Sequence, residues 1–157
     1  MAKEIERKFL VKGDSWRQQA EGKHISQAYL ARGKDCVFRV RAYDDRAVLT
    51  IKGRRQGISG DEFEYEIPLP DARIMIKNYS EYNVVEKIRY LLKHDGHIWE
   101  IDEFLGENQG LTVAEIELSS ESEKFTLPVW AGEEVSLDER YTNLNLAKTP
   151  YKQWENK

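Results

Sequence analysis

The chain has 157 residues, with 24 Lys and Arg against 28 Asp and Glu and a net charge of −4. That length fits one domain with a real core, and four Trp, eight Tyr and five Phe exclude a disordered polyelectrolyte. The acidic balance excludes a global basic surface for nucleic acid, so any anion chemistry must come from a local cluster of bases.

In chain order, alternation of apolar and polar residues predicts strands over 3–11, 24–32, 36–44, 46–53, 62–69, 84–94, 97–104 and 111–119. Turns separate them: "RGKD" before Cys36, "YDDR", the polar "GRRQGISGD", and "KHDGH", whose Asp-Gly is a hairpin signal. Helical pieces are predicted over 14–20, over 70–81 behind Pro70 and Asp71, and over 120–126 with a capping-box spacing from Ser120 to Glu123, while 136–148 reads as helical or turn-rich. The tail "YKQWENK" reads as polar and loose. No repeat, low-complexity tract or linker divides the chain, so 1–157 reads as a single domain.

One cysteine, Cys36, excludes an internal disulfide framework and suits a reducing compartment; it reads as a small packed strand residue. "MAKEIERKFL" lacks the apolar stretch of a signal peptide, and no run is long enough to span a membrane. The expected setting is cytoplasmic. His24, His94 and His97 sit at strand ends without ligand spacing and read as surface residues. The four Trp read as core or helix-contact anchors. The basic "KGRRQG" is a loop flanked by acids, with no nucleic-acid role expected.

Successive strand side chains point to opposite faces, so one face of nearly every strand is ionic. Glu4, Glu6 and Lys8 share a face. So do Arg39 and Arg41, Thr50 and Lys52, Glu62, Glu64 and Glu66, Lys87 and Arg89, Glu100 and Asp102, and Glu115 and Glu117. One reading is a half-buried sheet with a solvated outer face and charges paired across strands. The other is a closed barrel holding the charged faces inside, with the apolar faces packed outward under helices. Grouping by sign favours the second. Like charges at alternate positions repel unless each cluster meets a strong counter-ion, and buried charges are costly unless paired or ligated. A divalent metal answers carboxylates, because Mg²⁺ and Mn²⁺ prefer hard oxygen donors. A polyanion answers the Arg and Lys set, because guanidinium forks match phosphate oxygens.

"EIERKF" resembles the Glu-x-Glu-x-Lys signature of the CYTH superfamily, the triphosphate tunnel metalloenzymes. "FRVR", "LTIK", "EYEI", "EKIRY", "EIDEF", "AEIEL" and "GEEVSLDERYTN" follow in that family's order, and the resemblance covers about 2–148. It is closest to small single-domain bacterial members. The resemblance implies an α+β, mainly β fold, a closed eight-stranded antiparallel β-barrel forming a tunnel, with flanking helices. It implies metal ligands at Glu4, Glu6, Asp102, Glu115 and Glu117. It implies triphosphate-binding residues at Lys8, Arg39, Arg41, Lys52, Lys87, Arg89 and Arg140. Tyr29 resembles a tyrosine that pairs with the lysine at position 87, which is the candidate proton-transfer group or a further phosphate clamp. Glu64 and Glu66 read as partners orienting the bases.

The implied activity is metal-dependent hydrolysis of inorganic triphosphate, using two Mg²⁺ or Mn²⁺ ions. The alternatives are an adenylate cyclase, a nucleoside or thiamine triphosphatase, or a non-catalytic polyphosphate- or nucleotide-binding module. The expected partner is a triphosphate small molecule, with no nucleic acid and no membrane; no oligomer is predicted. A Walker-type glycine loop is absent, so phosphate binding would rest on side chains.

Overall fold

The computed structural model describes residues 3–155. Nine strands form one antiparallel sheet: β1 (Lys3–Val11), β2 (Lys23–Arg32), β3 (Cys36–Ala42), β4 (Ala47–Gly53), β5 (Ser59–Ile67), β6 (Val85–His94), β7 (His97–Phe104), β8 (Thr112–Glu117) and β9 (Ala131–Glu134). Their order is β5-β4-β3-β2-β6-β7-β8-β1-β9, and β5 also pairs with β1. That last pairing, Lys3–Ile5 against Ser59–Asp61, closes the first eight strands into a ring. The ring has an inside, which encloses most of the ionic faces and turns most of the apolar ones outward, while Glu64, Glu66 and Glu117 stay exposed. β9 lies beside the far half of β1 and escaped the sequence reading; its "AGEE" has no apolar alternation to mark it.

Two apolar clusters lie outside the ring and a third lies at one of its ends. α1 (Leu69–Tyr79) begins behind Pro68 and Pro70 and packs Ala72 and Ile76 onto the outer faces of β2, β3 and β4, against Ala28, Val40 and Ala42. On the opposite wall Phe9, Trp16, Trp99, Ile101, Ile116 and Trp130 form an aromatic-rich cluster. Trp99 meets Trp130 edge-on at 5.4 Å between ring centres. The third cluster closes one end. Tyr29, Val85, Phe104 and Val113 lie on the same strand faces as the charged residues, and α2 (Asn143–Lys148) seats Leu146 and Ala147 among them.

Several local expectations are corrected. Residues 120–126 form no helix, only a turn and an extended run. Glu123 accepts from both the backbone N–H and the hydroxyl of Ser119 at 2.6 Å, an alternative to helical bonding. Phe125 packs edge-on against Phe9 and Trp99. Residues 14–20 contain one short 3₁₀ turn, Arg17–Gln19. The segment 136–148 agrees with its helical or turn-rich reading: it holds a 3₁₀ turn, Glu139–Tyr141, and α2. The tail is anchored within the described residues: Trp154 packs edge-on to Tyr141 and Tyr151 and donates Nε1–H to the Thr149 carbonyl at 2.8 Å. His97 is half-buried rather than a surface residue, with Nε2 2.6 Å from Glu123. The "KHDGH" hairpin turn forms as expected, with Asp95 and Gly96 both at positive φ, 48° and 83°. Among the described residues no helix is long and apolar enough to cross a membrane.

Candidate active site inside the ring

The register decides which charges meet. Lys8 lies opposite Glu115, Arg89 opposite Asp102, and Lys52 opposite Glu62. These are opposite-sign pairs. Glu6, however, lies opposite Glu117, and Glu100 opposite Glu115. Like charges directly across a ladder repel, so the acid half of the interior is short of positive charge.

Two cavities occupy the interior. The inner one, about 50 Å³, is lined by Glu4, Glu6, Arg39, Arg41, Lys52, Arg89, Glu100, Glu115 and Asn143. The outer one, about 750 Å³, opens at the mouth formed by the β2–β3 turn, the β4–β5 loop and residues 136–148. Tyr29, Lys8 and Cys36 face the outer cavity.

The bases are buried. Lys87 has no exposed side-chain surface; its Nζ donates to Asp102 at 2.8 Å and to Asn143 Oδ1 at 3.0 Å. Burial drives its pKa down to about 7; Asp102 opposes that and Arg89 and Arg41 reinforce it. Arg89 forks onto Asp102, at 2.7 and 2.9 Å, and reaches Glu100 at 2.9 Å. Burial alone would raise the Asp102 carboxyl, but Arg89 and Lys87 hold it well below the usual carboxylate range. Glu115 is likewise buried yet held low, chiefly by Lys8, 3.4 Å away. Arg41 donates Nε–H to Gln27 at 2.8 Å, and its pKa is lowered by burial, Arg39 and Arg89. Arg39 approaches Glu62 at 3.6 Å, while its Nε is buried without a hydrogen-bond partner. A buried guanidinium N–H with no acceptor is a donor that a bound anion would satisfy.

Other acids are pushed the opposite way. Burial, with Glu115 and Glu4 nearby, pushes Glu6 up to about 8. Burial and Glu4 push Glu62 up to about 8. Burial, Glu4, Glu64 and Glu115 raise Glu117. Lys52 and Arg55 engage Glu4 at 3.2 and 3.1 Å. Among the described residues no three acidic, His or Cys side chains already converge as a metal cage. The donor chemistry still fits a hard divalent ion. The inner cavity offers carboxylate oxygens and no His or Cys. Protons raised onto Glu6 and Glu62 mark a site where further positive charge is favoured.

The structure therefore brings together Glu4, Glu6, Lys8, Arg39, Arg41, Lys52, Lys87, Arg89, Asp102, Glu115 and, at the acidic end, Glu117. Two expectations are corrected. Tyr29 faces Arg39 across β2 and β3, and Lys87 takes Asp102 and Asn143 as its partners instead. Arg140 lines neither cavity: it forks onto Asp138, at 2.7 Å, and stacks near Tyr141 and Trp154. Asn143, Gln27, Glu62, Glu100 and Arg55 were not foreseen as site residues. Glu62 and Glu100 were legible as lumen-facing by alternation. Arg55 lay in a loop without periodicity, and nothing in the sequence marks Asn143.

A family model described as CYTH domain matches residues 2–150. An inorganic triphosphatase from Acetivibrio thermocellus is 48% identical over 155 residues, covering 99% of each chain. An inorganic triphosphatase from Nitrosomonas europaea is 36% identical over 148 residues, covering 92% of this chain and 96% of that one. Among solved structures, an inorganic triphosphatase superimposes with a TM-score of 0.65 at 35% identity, covering 91% of this chain and 96% of the other. A match across nearly the whole length, together with a closed ring enclosing both ionic sets, leaves one conclusion: the chain belongs to the CYTH domain family.

Proposed function

We propose that the protein hydrolyses inorganic triphosphate inside the ring with the help of a divalent cation, Mg²⁺ or Mn²⁺. The observation that carries this reading is the shared lining of the inner cavity, where Arg39, Arg41, Lys52 and Arg89 stand around the same space as Glu4, Glu6, Glu100 and Glu115. Two relatives that match most of the chain bear the name inorganic triphosphatase, which supports the same substrate.

In this reading Arg39, Arg41, Lys52 and Arg89 hold the phosphate oxygens and stabilise charge that builds on them as the bridging P–O bond breaks. Lys8 holds an outer phosphate at the mouth. The carboxylates of Glu4, Glu6, Glu115 and Glu117, with Asp102 behind them, would hold up to two ions. When bound, the ions screen the phosphate charge and polarise the attacking water. Lys87, with its pKa near neutrality, can give or take a proton at Nζ, and Asp102 keeps it in place. The oxygen of one water is added to the released phosphate, and diphosphate leaves.

The test offers purified protein and Mg²⁺ or Mn²⁺ with triphosphate, ATP, thiamine triphosphate and longer polyphosphate. Preferred phosphate release from triphosphate is expected. Cyclic AMP from ATP, preference for an organic triphosphate, or tight binding without release would each replace this reading. The outer cavity has room for more than three phosphates, which makes the ATP and polyphosphate arms informative.

A further inference from the structure

Four residues line both cavities: Glu6, Arg39, Lys52 and Asn143. Three are charged; Asn143 is neutral. It is the first residue of α2, outside the sheet, and it enters the interior between the two spaces.

The orientation of its amide is fixed by its neighbours. Gln27 Oε1 accepts from Arg41 Nε, so the Gln27 amide must present its NH₂ to Asn143, at 2.9 Å. Lys87 Nζ, 3.0 Å away, is also a donor when charged. Two donors converge on one atom, so that atom is the carbonyl oxygen, Oδ1, and the NH₂ points elsewhere. Among the described residues the Asn143 NH₂ has no hydrogen-bond partner, and it is not one of the sealed, unpartnered polar atoms. A free donor pair therefore stands at the threshold between the cavities.

We propose that Asn143 is a substrate-contacting and positioning residue. Oδ1 fixes Lys87 while the NH₂ donates to an oxygen of the phosphate chain passing from the outer to the inner cavity. This rests on the triphosphatase reading above. A neutral donor suits that place. A further cation would repel Arg39, Lys52 and Lys87, and a carboxylate would repel the anion. The same side chain carries the position of α2 into the site, since Leu146 and Ala147 on that helix are locked into the closing cluster.

Asn143→Ala removes both functions, and Asn143→Asp keeps the oxygen for Lys87 and Gln27 but replaces the donor with negative charge. With triphosphate as substrate, Asn143→Ala should lower kcat roughly ten- to hundredfold. Asn143→Asp should keep more of kcat and raise KM at least tenfold. Calorimetric binding of triphosphate in EDTA should weaken in the same order, Asp worse than Ala, without recourse to turnover. Midpoints of thermal unfolding are recorded for both. If Asn143→Ala fails to fold, the near-isosteric Asp variant decides alone. Wild-type kcat, KM and affinity in the Asp variant would overturn the proposal, as would equal effects of both variants that track only their melting temperatures. Wild-type protein that binds triphosphate without releasing phosphate would instead overturn the triphosphatase reading, leaving the binding arm to judge Asn143.

Discussion

Lys87 and Asp102, on neighbouring strands β6 and β7, meet at 2.8 Å with no exposed surface on the lysine. They are not direct cross-strand partners: Asp102 lies opposite Arg89, and Lys87 opposite Phe104. Asp102 thus serves two buried cations, one straight across the ladder and one diagonally.

Removing Asp102 leaves Lys87 and Arg89 without their shared counter-ion. Asp102→Ala should destabilise the protein by about 3–5 kcal/mol, the usual result of breaking a buried ion pair from one side. Urea unfolding measured against wild type checks this. A loss below about 1 kcal/mol would mean that water reaches the cations.

Stability should depend on pH in opposite senses for the two ionic sets. Glu6 and Glu62 sit at about 8 in the folded state against 4.5 ordinarily, so the folded form holds protons that the unfolded form loses. Their contribution is full below pH 4.5 and disappears as pH climbs to about 8. Lys87 falls from 10.5 to about 7, so the folded form releases its proton first and stability recovers between about 7 and 10.5. The metal-free melting temperature should therefore decline from mildly acidic pH to a minimum near 7–8. Millimolar Mg²⁺ or Mn²⁺ should flatten the decline, because a bound cation replaces the protons. A decline that EDTA and metal leave identical would remove Glu6 from the metal site.

Glu4→Gln and Glu117→Gln preserve shape but remove a charge each. Metal-dependent phosphate release should fall by at least a hundredfold in either variant, with calorimetry of Mn²⁺ binding showing the matching loss. Full activity in one of them would strike that residue from the ligand set.

Leu146→Ala should loosen the closed end. Leu146 is fully buried in the cluster that holds Phe104 and Val113, and truncation there should cost about 2–5 kcal/mol. Faster proteolytic cleavage in 136–148 than elsewhere would show that α2 detaches before the ring opens.

Alternation alone established much of this molecule. The period-2 pattern in "FRVR", "EFEYEI" and "EIDEF" put each charged residue on the face opposite the apolar ones. Like charges at alternate positions, Glu4 with Glu6 and Glu115 with Glu117, pointed to an enclosed ionic interior. That information is local, because strand geometry assigns the face from the residue's parity. Which charges touch was not local. Register decided that Glu6 meets Glu117 while Arg89 meets Asp102, and a shift of one residue would have reversed every face. Asn143 reached the lumen, and Arg140 turned away from it, because the chain after β9 folds back over one end of the ring and Leu146 finds its apolar seat there. Non-periodic segments carry no face to read, so only packing against distant strands could place them.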